Sequence, residues 1–208
     1  VFDFEYIIDE PNPLGIQVDL EQDILCNGAK SGEIQITPTG GVAPYEYSWT
    51  YTPEGENTGI FFSDSEDLEN LNPGEYILVV NDANGCGPLA QSFEITEPTP
   101  IESNLDLQVD ILCFGDATGS IEVSISGGTP EMVNGIPQYI YSWEGIPVDP
   151  SIPSFTSSDE DIFNLVAGEY TLTVTDSYGC EFDFTYTLTQ PDDLIINYTT
   201  TDNTCYES

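Results

Sequence analysis

The chain has 208 residues, of which 38 are acidic, one is basic (Lys30) and none is histidine, so its formal net charge is −37. Because no cluster of basic side chains can neutralise phosphates, nucleic acid and anionic membrane surfaces are excluded as direct partners. Without histidine or arginine there is no Ser-His-Asp or Cys-His catalytic group and no guanidinium to stabilise an oxyanion. We therefore expect a protein that is not an enzyme and does not insert into a membrane.

The acidity does not indicate disorder, because 39% of the residues are hydrophobic and 12% are aromatic. These residues alternate with polar ones in short runs, which is typical of strands that bury one face. Turn sequences such as Gly-Gly, Asn-Pro-Gly and Asp-Ala-Asn-Gly separate the runs. In chain order the alternating positions are Ile34 and Ile36; Tyr45, Tyr47 and Trp49; Tyr76, Leu78 and Val80; Ile121, Val123 and Ile125; Tyr139, Tyr141 and Trp143; and Tyr170, Leu172 and Val174.

The second half of the chain repeats the first in the same order, with a period of about 90 residues. Asp-Ile-Leu-Cys at 23–26 recurs at 110–113, and Asp-x-x-Gly-Cys at 82–86 recurs at 176–180. The ends fit the same register, since Phe-Asp-Phe occurs at both 2–4 and 182–184. We predict the tail of a preceding repeat at 1–13, repeat one at 14–100, repeat two at 101–193 and the start of a further repeat at 194–208.

About seven short strands in each repeat are typical of an immunoglobulin-like sandwich. The predicted fold is therefore all-β, with tandem immunoglobulin-like β-sandwich repeats in an extended array. Trp49 and Trp143 fall in the third strand and are predicted to lie in the core. Tyr76 and Tyr170 open the sixth strand just after a glycine, which predicts a tyrosine corner.

These blocks resemble the SprB repeat of Bacteroidetes cell-surface proteins, a family that includes gliding-motility adhesins. Repeat two departs from the pattern between Gly128 and Tyr139, where an insertion breaks the link between Gly-Gly and the tyrosine strand. The matching residues of repeat one are Cys26, Gly28, Gly32, Gly40, Gly41, Pro44, Tyr45, Tyr47, Trp49, Leu71, Gly74, Tyr76, Asp82, Gly85 and Cys86.

The resemblance implies an extracellular protein on the outer cell surface, exported by the type IX route. Its repeats would act as a stiff spacer that transmits force in a large adhesin filament used in surface attachment and gliding motility. The implied partners are neighbouring repeats and, through the parent protein, the motility machinery and an external substratum or polysaccharide. A glycan-binding or ice-binding module is the alternative function, with the Tyr and Trp rows as a sugar platform rather than core packing.

Each repeat carries an early and a late cysteine, which in a secreted protein predicts disulfides. One connectivity joins Cys26 to Cys180 between repeats, and the other joins Cys26 to Cys86 and Cys113 to Cys180 within repeats. In the assumed sandwich, Cys26 and Cys86 lie in loops at opposite ends, about 20 Å apart along a strand. This distance favours the bond between repeats, but it depends on the assumed strand order, so both connectivities stay open.

Calcium is the candidate cofactor, since hard cations prefer clustered carboxylate, amide and backbone oxygens. Asp82 with Asn84, Asp116 and Asp176 occupy turns where such oxygens could gather, and these four residues are the candidate ligands. The competing interpretation is that Asp and Asn next to Gly are simply residues of hairpin turns.

Overall fold

The computed structural model describes residues 10–200, and within that range it contains 16 strands and no helix. The prediction of an all-β fold is thereby confirmed. No helix in this part of the chain is long and apolar enough to cross a membrane.

The first sandwich consists of a three-stranded sheet in the order β1-β2-β5 and a four-stranded sheet in the order β4-β3-β6-β7. All pairings within the two sheets are antiparallel. This arrangement is that of an immunoglobulin-like sandwich. The strands are β1 (Gly15–Gln22), β2 (Gly32–Thr39), β3 (Glu46–Pro53), β4 (Ile60–Ser63), β5 (Leu68–Leu71), β6 (Gly74–Asn81) and β7 (Leu89–Ile95).

The second sandwich repeats this topology, with sheets in the orders β14-β9-β8 and β13-β12-β15-β16. An additional hairpin, β10-β11, occupies the insertion that the sequence shows before Tyr139. Its Asn134-Gly135 turn has positive φ at both residues (53° and 81°), which is the geometry of a two-residue hairpin turn. The strands are β8 (Glu102–Val109), β9 (Gly119–Ser126), β10 (Glu131–Val133), β11 (Ile136–Gln138), β12 (Ile140–Pro147), β13 (Phe155–Ser157), β14 (Ile162–Leu165), β15 (Gly168–Thr175) and β16 (Glu181–Leu188).

Period-two alternation builds the core of each sandwich. Strand β6 buries every second residue, and β15 shows the same burial pattern. In the first sandwich Tyr76, Leu78 and Val80 are completely inaccessible to solvent. They pack with Trp49, whose ring centroid lies 5.5 Å from that of Phe93. The alternating apolar residues therefore form the inner faces of the two sheets.

The chain divides into two compact units. Of the described residues, the first unit contains 10–101 together with Gly127–Gln138 and the turn Asp176–Cys180. The second contains Glu102–Ser126, Tyr139–Thr175 and 181–200. The predicted repeat ends at 1–13 and 194–208 fall largely outside the described residues, so those boundaries remain predictions.

Candidate disulfide site

Cys26 and Cys180, which are 154 positions apart in sequence, form a disulfide with their Cα atoms 5.5 Å apart. Both cysteines lie in the first compact unit, because the turn that carries Cys180 groups with it. The bond is therefore the between-repeat alternative of the two connectivities. Cys180 is buried, and its Sγ lies 3.4 Å from the carbonyl oxygen of Leu25.

The loop between β1 and β2 holds Cys26 in a tight turn. The Ala29 amide donates to the Cys26 carbonyl at 3.0 Å, and Gly28 takes a φ of 74°, which glycine adopts without strain. The Leu25 amide donates to the Ser31 hydroxyl at 3.0 Å, and the Gly28 amide donates to the Glu97 carboxylate at 2.8 Å. These side-chain bonds explain why Gly and Ser follow the cysteine at fixed spacing.

The turn that carries Cys180 is organised by Asp176, which is almost completely buried. Its Oδ1 accepts hydrogen bonds from the amides of Tyr178 (2.9 Å) and Cys180 (3.0 Å). Its Oδ2 accepts from the amide (2.9 Å) and hydroxyl (3.0 Å) of Thr129. One carboxylate thus fixes the backbone on both sides of the cysteine.

Burial alone would raise the pKa of Asp176, but the hydrogen bonds from Thr129, Cys180 and Tyr178 stabilise the charged form. The net effect is a pKa below the ordinary value for an aspartate. The carboxylate is therefore ionised wherever the turn is formed near neutral pH.

Repeat one contains the same turn around Cys86. The Oδ1 of buried Asp82 accepts from the amides of Asn84 (3.0 Å) and Cys86 (2.7 Å), and its Oδ2 accepts from the Val42 amide (3.0 Å). Gly85 has a φ of 72°, close to the 80° of Gly179. The Asp-x-x-Gly-Cys sequence therefore forms one local structure in both repeats, whether or not its cysteine is bonded.

The candidate calcium ligands do not come together as a carboxylate cluster. Within residues 10–200, no group of three or more His, Cys, Asp or Glu side chains is arranged to hold a metal ion. The oxygens of Asp82 and Asp176 already accept backbone N–H groups, whereas the side chains of Asn84 and Asp116 are exposed. The turn interpretation accounts for the two buried aspartates, and calcium remains a prediction from the sequence.

Sequence reasoning missed two further pairs of structural aspartates. Asp23 accepts from the Thr96 amide at 2.7 Å, and Asp110 accepts from the Thr189 amide at 2.8 Å. Acidic runs precede the fifth strand of each sandwich, at 64–67 before β5 and at 159–161 before β14. In each run, one carboxylate accepts a backbone amide of the neighbouring strand. These bonds join Ile36 to Asp67 (3.0 Å) and Val123 to Asp161 (2.9 Å). The sequence contained one indication of these roles, because each aspartate of repeat one has an aspartate at the equivalent position of repeat two.

At their centres the aromatic rows lie in the core and do not form a sugar platform, since Trp49 and Trp143 are at most 1% exposed. Each indole N–H donates to a backbone carbonyl, that of Ser65 (2.9 Å) or Asp159 (3.0 Å). A buried tryptophan needs such a partner for its one donor. These side chains are therefore unavailable to an external ligand.

Tyr76 and Tyr170 form equivalent corners. The hydroxyl of Tyr76 donates to the Asn72 carbonyl at 3.0 Å, and that of Tyr170 donates to the Val166 carbonyl at 2.9 Å. Burial, followed by the neighbouring Tyr51, raises the pKa of Tyr76 to about 12. Both tyrosines therefore remain neutral donors across the physiological range.

The third strand of each sandwich carries a tyrosine, Tyr47 or Tyr141, whose hydroxyl is hydrogen-bonded to a glutamate of the acidic run. Burial, with the nearby Glu66 carboxylate next in importance, raises the pKa of Tyr47 to about 12. Burial and a hydrogen bond to Glu160 likewise raise the pKa of Tyr141. The acidic runs thus hold tyrosine hydroxyls as well as backbone amides.

Two immunoglobulin-like sandwiches built from one repeated sequence define a tandem-repeat β-sandwich protein. The SprB repeat family model matches residues 22–51 and 107–147, which run from the first strand of each sandwich into the tryptophan strand. These matches support the SprB repeat as the family of both modules. Comparison with curated proteins gives no match.

Several solved structures are distantly similar to this chain. The three N-terminal domains of the bacteriophage RB49 Hoc capsid protein share 13% identity at a TM-score of 0.41, over 86% of this chain and 59% of that one. A C-terminal 282-residue fragment of intimin, solved with the intimin-binding domain of Tir, shares 17% identity at a TM-score of 0.37, over 85% of this chain and 63% of that one. An I-band fragment of titin shares 14% identity at a TM-score of 0.34, over 87% of this chain and 66% of that one. The chain thus spans about three fifths of the length of the first two structures.

Proposed function

We propose that this chain is part of the repeat region of a large cell-surface adhesin filament. In this proposal it serves surface attachment and gliding motility as a stiff spacer that transmits force. The observation that carries the proposal is the Cys26–Cys180 disulfide, since it joins residues 154 positions apart. A bond of that span changes which parts of the chain bear a pulling force.

The load path follows from the order of the chain. Strands β2 to β15 all lie between Cys26 and Cys180, so a force applied to the two ends passes through the disulfide instead of through them. Outside the closed loop, the described strands are β1 and β16. Under tension, most of both sandwiches is therefore shielded from unfolding by a covalent bond.

The surface chemistry supports a spacer. A net charge of −37 with one cationic side chain gives the surface a single sign of charge, which disfavours association between neighbouring filaments. The tryptophans lie in the cores, so the aromatic rows do not supply an adhesive platform at those positions. Adhesion would then belong to other parts of the parent protein.

The proposed location is the outer cell surface, reached by type IX export. The disulfide supports an oxidising compartment, and the family match supports a surface protein. In this proposal the chain contacts neighbouring repeats of its own protein. The motility machinery and an external substratum or polysaccharide are contacted through the parent protein, with no nucleic acid involved.

Single-molecule stretching of the chain, held at its two ends, tests the load path. In the oxidised protein the chain between Cys26 and Cys180 should stay closed while the ends are pulled. After reduction the same pull should release the chain between these cysteines, which are 154 positions apart, or roughly 500 Å of extended chain. Equal extension with and without reductant would contradict the proposed load path.

Binding assays on polysaccharide, glass and ice distinguish the spacer from the alternative glycan- or ice-binding module. A spacer should be retained by none of them beyond an equally acidic control protein. Saturable binding to one of these materials would favour the alternative.

A further inference from the structure

Cys86 and Cys113 are free and exposed, and Cys26 and Cys180 are the equivalent residues that form the disulfide. We propose that each of these two thiols forms a disulfide with another copy of this repeat, equivalent to the bond between Cys26 and Cys180. Cys113 would take the late cysteine of the copy that follows, and Cys86 the early cysteine of the copy that precedes.

Cys113 lies in a loop that shares three equivalent hydrogen bonds with the loop of Cys26. The Asp116 amide donates to the Cys113 carbonyl at 3.1 Å, where Ala29 donates to Cys26 at 3.0 Å. The Leu112 amide donates to a hydroxyl, that of Thr118, at 3.0 Å, as the Leu25 amide does to Ser31. The loop that carries Cys113 therefore has the hydrogen bonds of the disulfide-bonded loop although its cysteine is free.

The third contact of this loop also has its equivalent. The Gly115 amide donates to the Gln190 side chain at 3.0 Å, where the Gly28 amide donates to the Glu97 carboxylate at 2.8 Å. Gly115 has a φ of 78°, against 74° for Gly28. The loop around the free cysteine is therefore held by its own repeat, with no contribution from a bonded partner.

Cys86 lies in a turn that matches the turn of Cys180. In both, the aspartate four positions earlier accepts the cysteine amide, at 2.7 Å for Cys86 and 3.0 Å for Cys180. The cysteine carbonyl in turn accepts the amide of that aspartate, at 3.4 Å from Asp82 and 3.1 Å from Asp176. The turn that carries the late cysteine therefore has the same hydrogen bonds in both repeats, although Cys180 is bonded and Cys86 is free.

Burial shows what kind of partner is missing. Where the bond exists, Cys180 is 5% exposed and Leu25 beside Cys26 is partly buried. Where it does not, Leu112 and Phe114 on either side of Cys113 are 73% and 52% exposed. Where the bond exists, the sulfur of Cys180 in the Asp-x-x-Gly-Cys turn lies 3.4 Å from the carbonyl oxygen of Leu25, so this turn contacts the residue beside Cys26. The occupant that fits Leu112 is accordingly the same turn from another copy.

Forming the bond removes two protons and two electrons, and a small-molecule disulfide supplies the oxidant. The Cys113 thiolate attacks that disulfide, giving a mixed disulfide and releasing one thiolate. The Cys86 thiolate of another copy then attacks the Cys113 sulfur and releases the second thiolate. The products are one protein disulfide and two reduced small-molecule thiols.

The proposed pairing of Cys86 and Cys113 with further copies has a mechanical consequence. Cys86 and Cys113 both lie inside the loop closed by Cys26 and Cys180, so bonds formed with further copies would make the closed loops overlap. A pulling force would then enter at Cys86, follow the chain to Cys113 and leave through the next disulfide. That segment of about 27 residues extends to roughly 90 Å at most, so unfolding could add little length to the array.

Oxidation of an isotopically mixed sample tests the pairing. Cys205, which lies outside the described residues, is replaced (Cys205→Ser) so that Cys86 and Cys113 are the free thiols. Equal amounts of ¹⁴N and ¹⁵N chains are incubated in a glutathione redox buffer, digested without reduction and analysed by mass spectrometry. We expect Cys86–Cys113 peptides that join different molecules, and a ladder of oligomers on a non-reducing gel.

The ratio of products decides the outcome. Random pairing of exposed thiols gives Cys86–Cys113 at about twice each symmetric pair, whereas matched halves should give an excess of roughly tenfold or more. A statistical mixture of pairs would overturn the inference, as would a Cys86–Cys113 bond formed only within one molecule. Neither result would affect the load path through Cys26 and Cys180, which stretching tests separately.

A displaced thiol provides the matched control. In the double variant Cys113→Ser with Ser151→Cys, the thiol moves to another exposed turn of the second unit. The excess of pairing with Cys86 should disappear in this variant. Undiminished pairing would mean that exposure alone, rather than the preformed loop, governs the reaction, and would overturn the inference.

Discussion

Cys26 and Cys180 are 154 positions apart in the chain, yet their Cα atoms lie 5.5 Å apart. The bond between them closes a loop that contains fourteen of the sixteen described strands. A cross-link of this span removes many conformations from the unfolded chain while constraining the folded one little. The disulfide should therefore contribute to stability as well as to the load path.

Replacing Cys26 with serine should lower the free energy of unfolding by about 2–5 kcal/mol, because loop-closure entropy is no longer removed from the unfolded state. Urea denaturation of the oxidised variant and parent measures this difference. Cys86→Ser, which replaces a free cysteine, is the control and should be nearly neutral. Equal effects of the two variants would contradict a stabilising role for the bond.

Removing the corner hydroxyl should destabilise each sandwich separately. Tyr76→Phe leaves the Asn72 carbonyl without its donor, and Tyr170→Phe does the same to Val166. Each variant should lose about 0.5–1.5 kcal/mol, the usual net value of one hydrogen bond. Denaturation curves measure the loss, and a shift confined to one of the two variants would show that the corners are not equivalent.

Asp176 should make the protein sensitive to acid. Its folded pKa lies below the unfolded value of about 3.9, so its contribution is complete above that pH and is lost as the pH falls through the folded pKa. Asp176→Asn should therefore be less stable at pH 7 by about 1.5–3 kcal/mol and lose less stability on acidification.

Denaturation at several pH values between 7 and 2 tests this expectation. The exposed Asp192→Asn is the control and should follow the parent curve. A parallel loss of stability in the Asp176→Asn variant and the parent would contradict the assignment to this carboxylate.

The effect of a specific calcium site on the melting temperature can be separated from the effect of salt screening on the net charge of −37. Added salt of any kind should raise the melting temperature, since the Debye length falls from about 30 Å at 0.01 M to about 8 Å at 0.15 M. A specific site predicts a further rise with CaCl₂ over MgCl₂ at equal ionic strength, reversed by chelator and reduced by Asp116→Asn. Equal shifts with the two salts would contradict a calcium site.

The fold was predictable because alternation and repetition point to the same architecture. Leu78 and Val80 occur every second residue and lie in the core, and Leu172 and Val174 do so again in the second sandwich. The paired turns and corner tyrosines could be placed because each sequence block occurs twice. A single repeat would have given a much weaker prediction of strand order.

The roles of the acidic residues could not be predicted in the same way. Asp82 and Asp116 both sit beside a glycine turn, yet one is buried and accepts three amides while the other is exposed. That difference depends on which strand ends lie beside each turn, and local sequence does not specify it. The residues of these glycine turns therefore left both a calcium ligand and a turn residue open as interpretations.

Peptide mapping of the oxidised protein under non-reducing conditions tests the Cys26–Cys180 connectivity, on which the proposed load path depends. The structure predicts a cross-linked peptide pair that contains Cys26 and Cys180, with Cys86 and Cys113 absent from that pair. Recovery of Cys26 linked to Cys86, together with Cys113 linked to Cys180, would contradict it. That result would leave each repeat separately stapled, with no covalent load path between them.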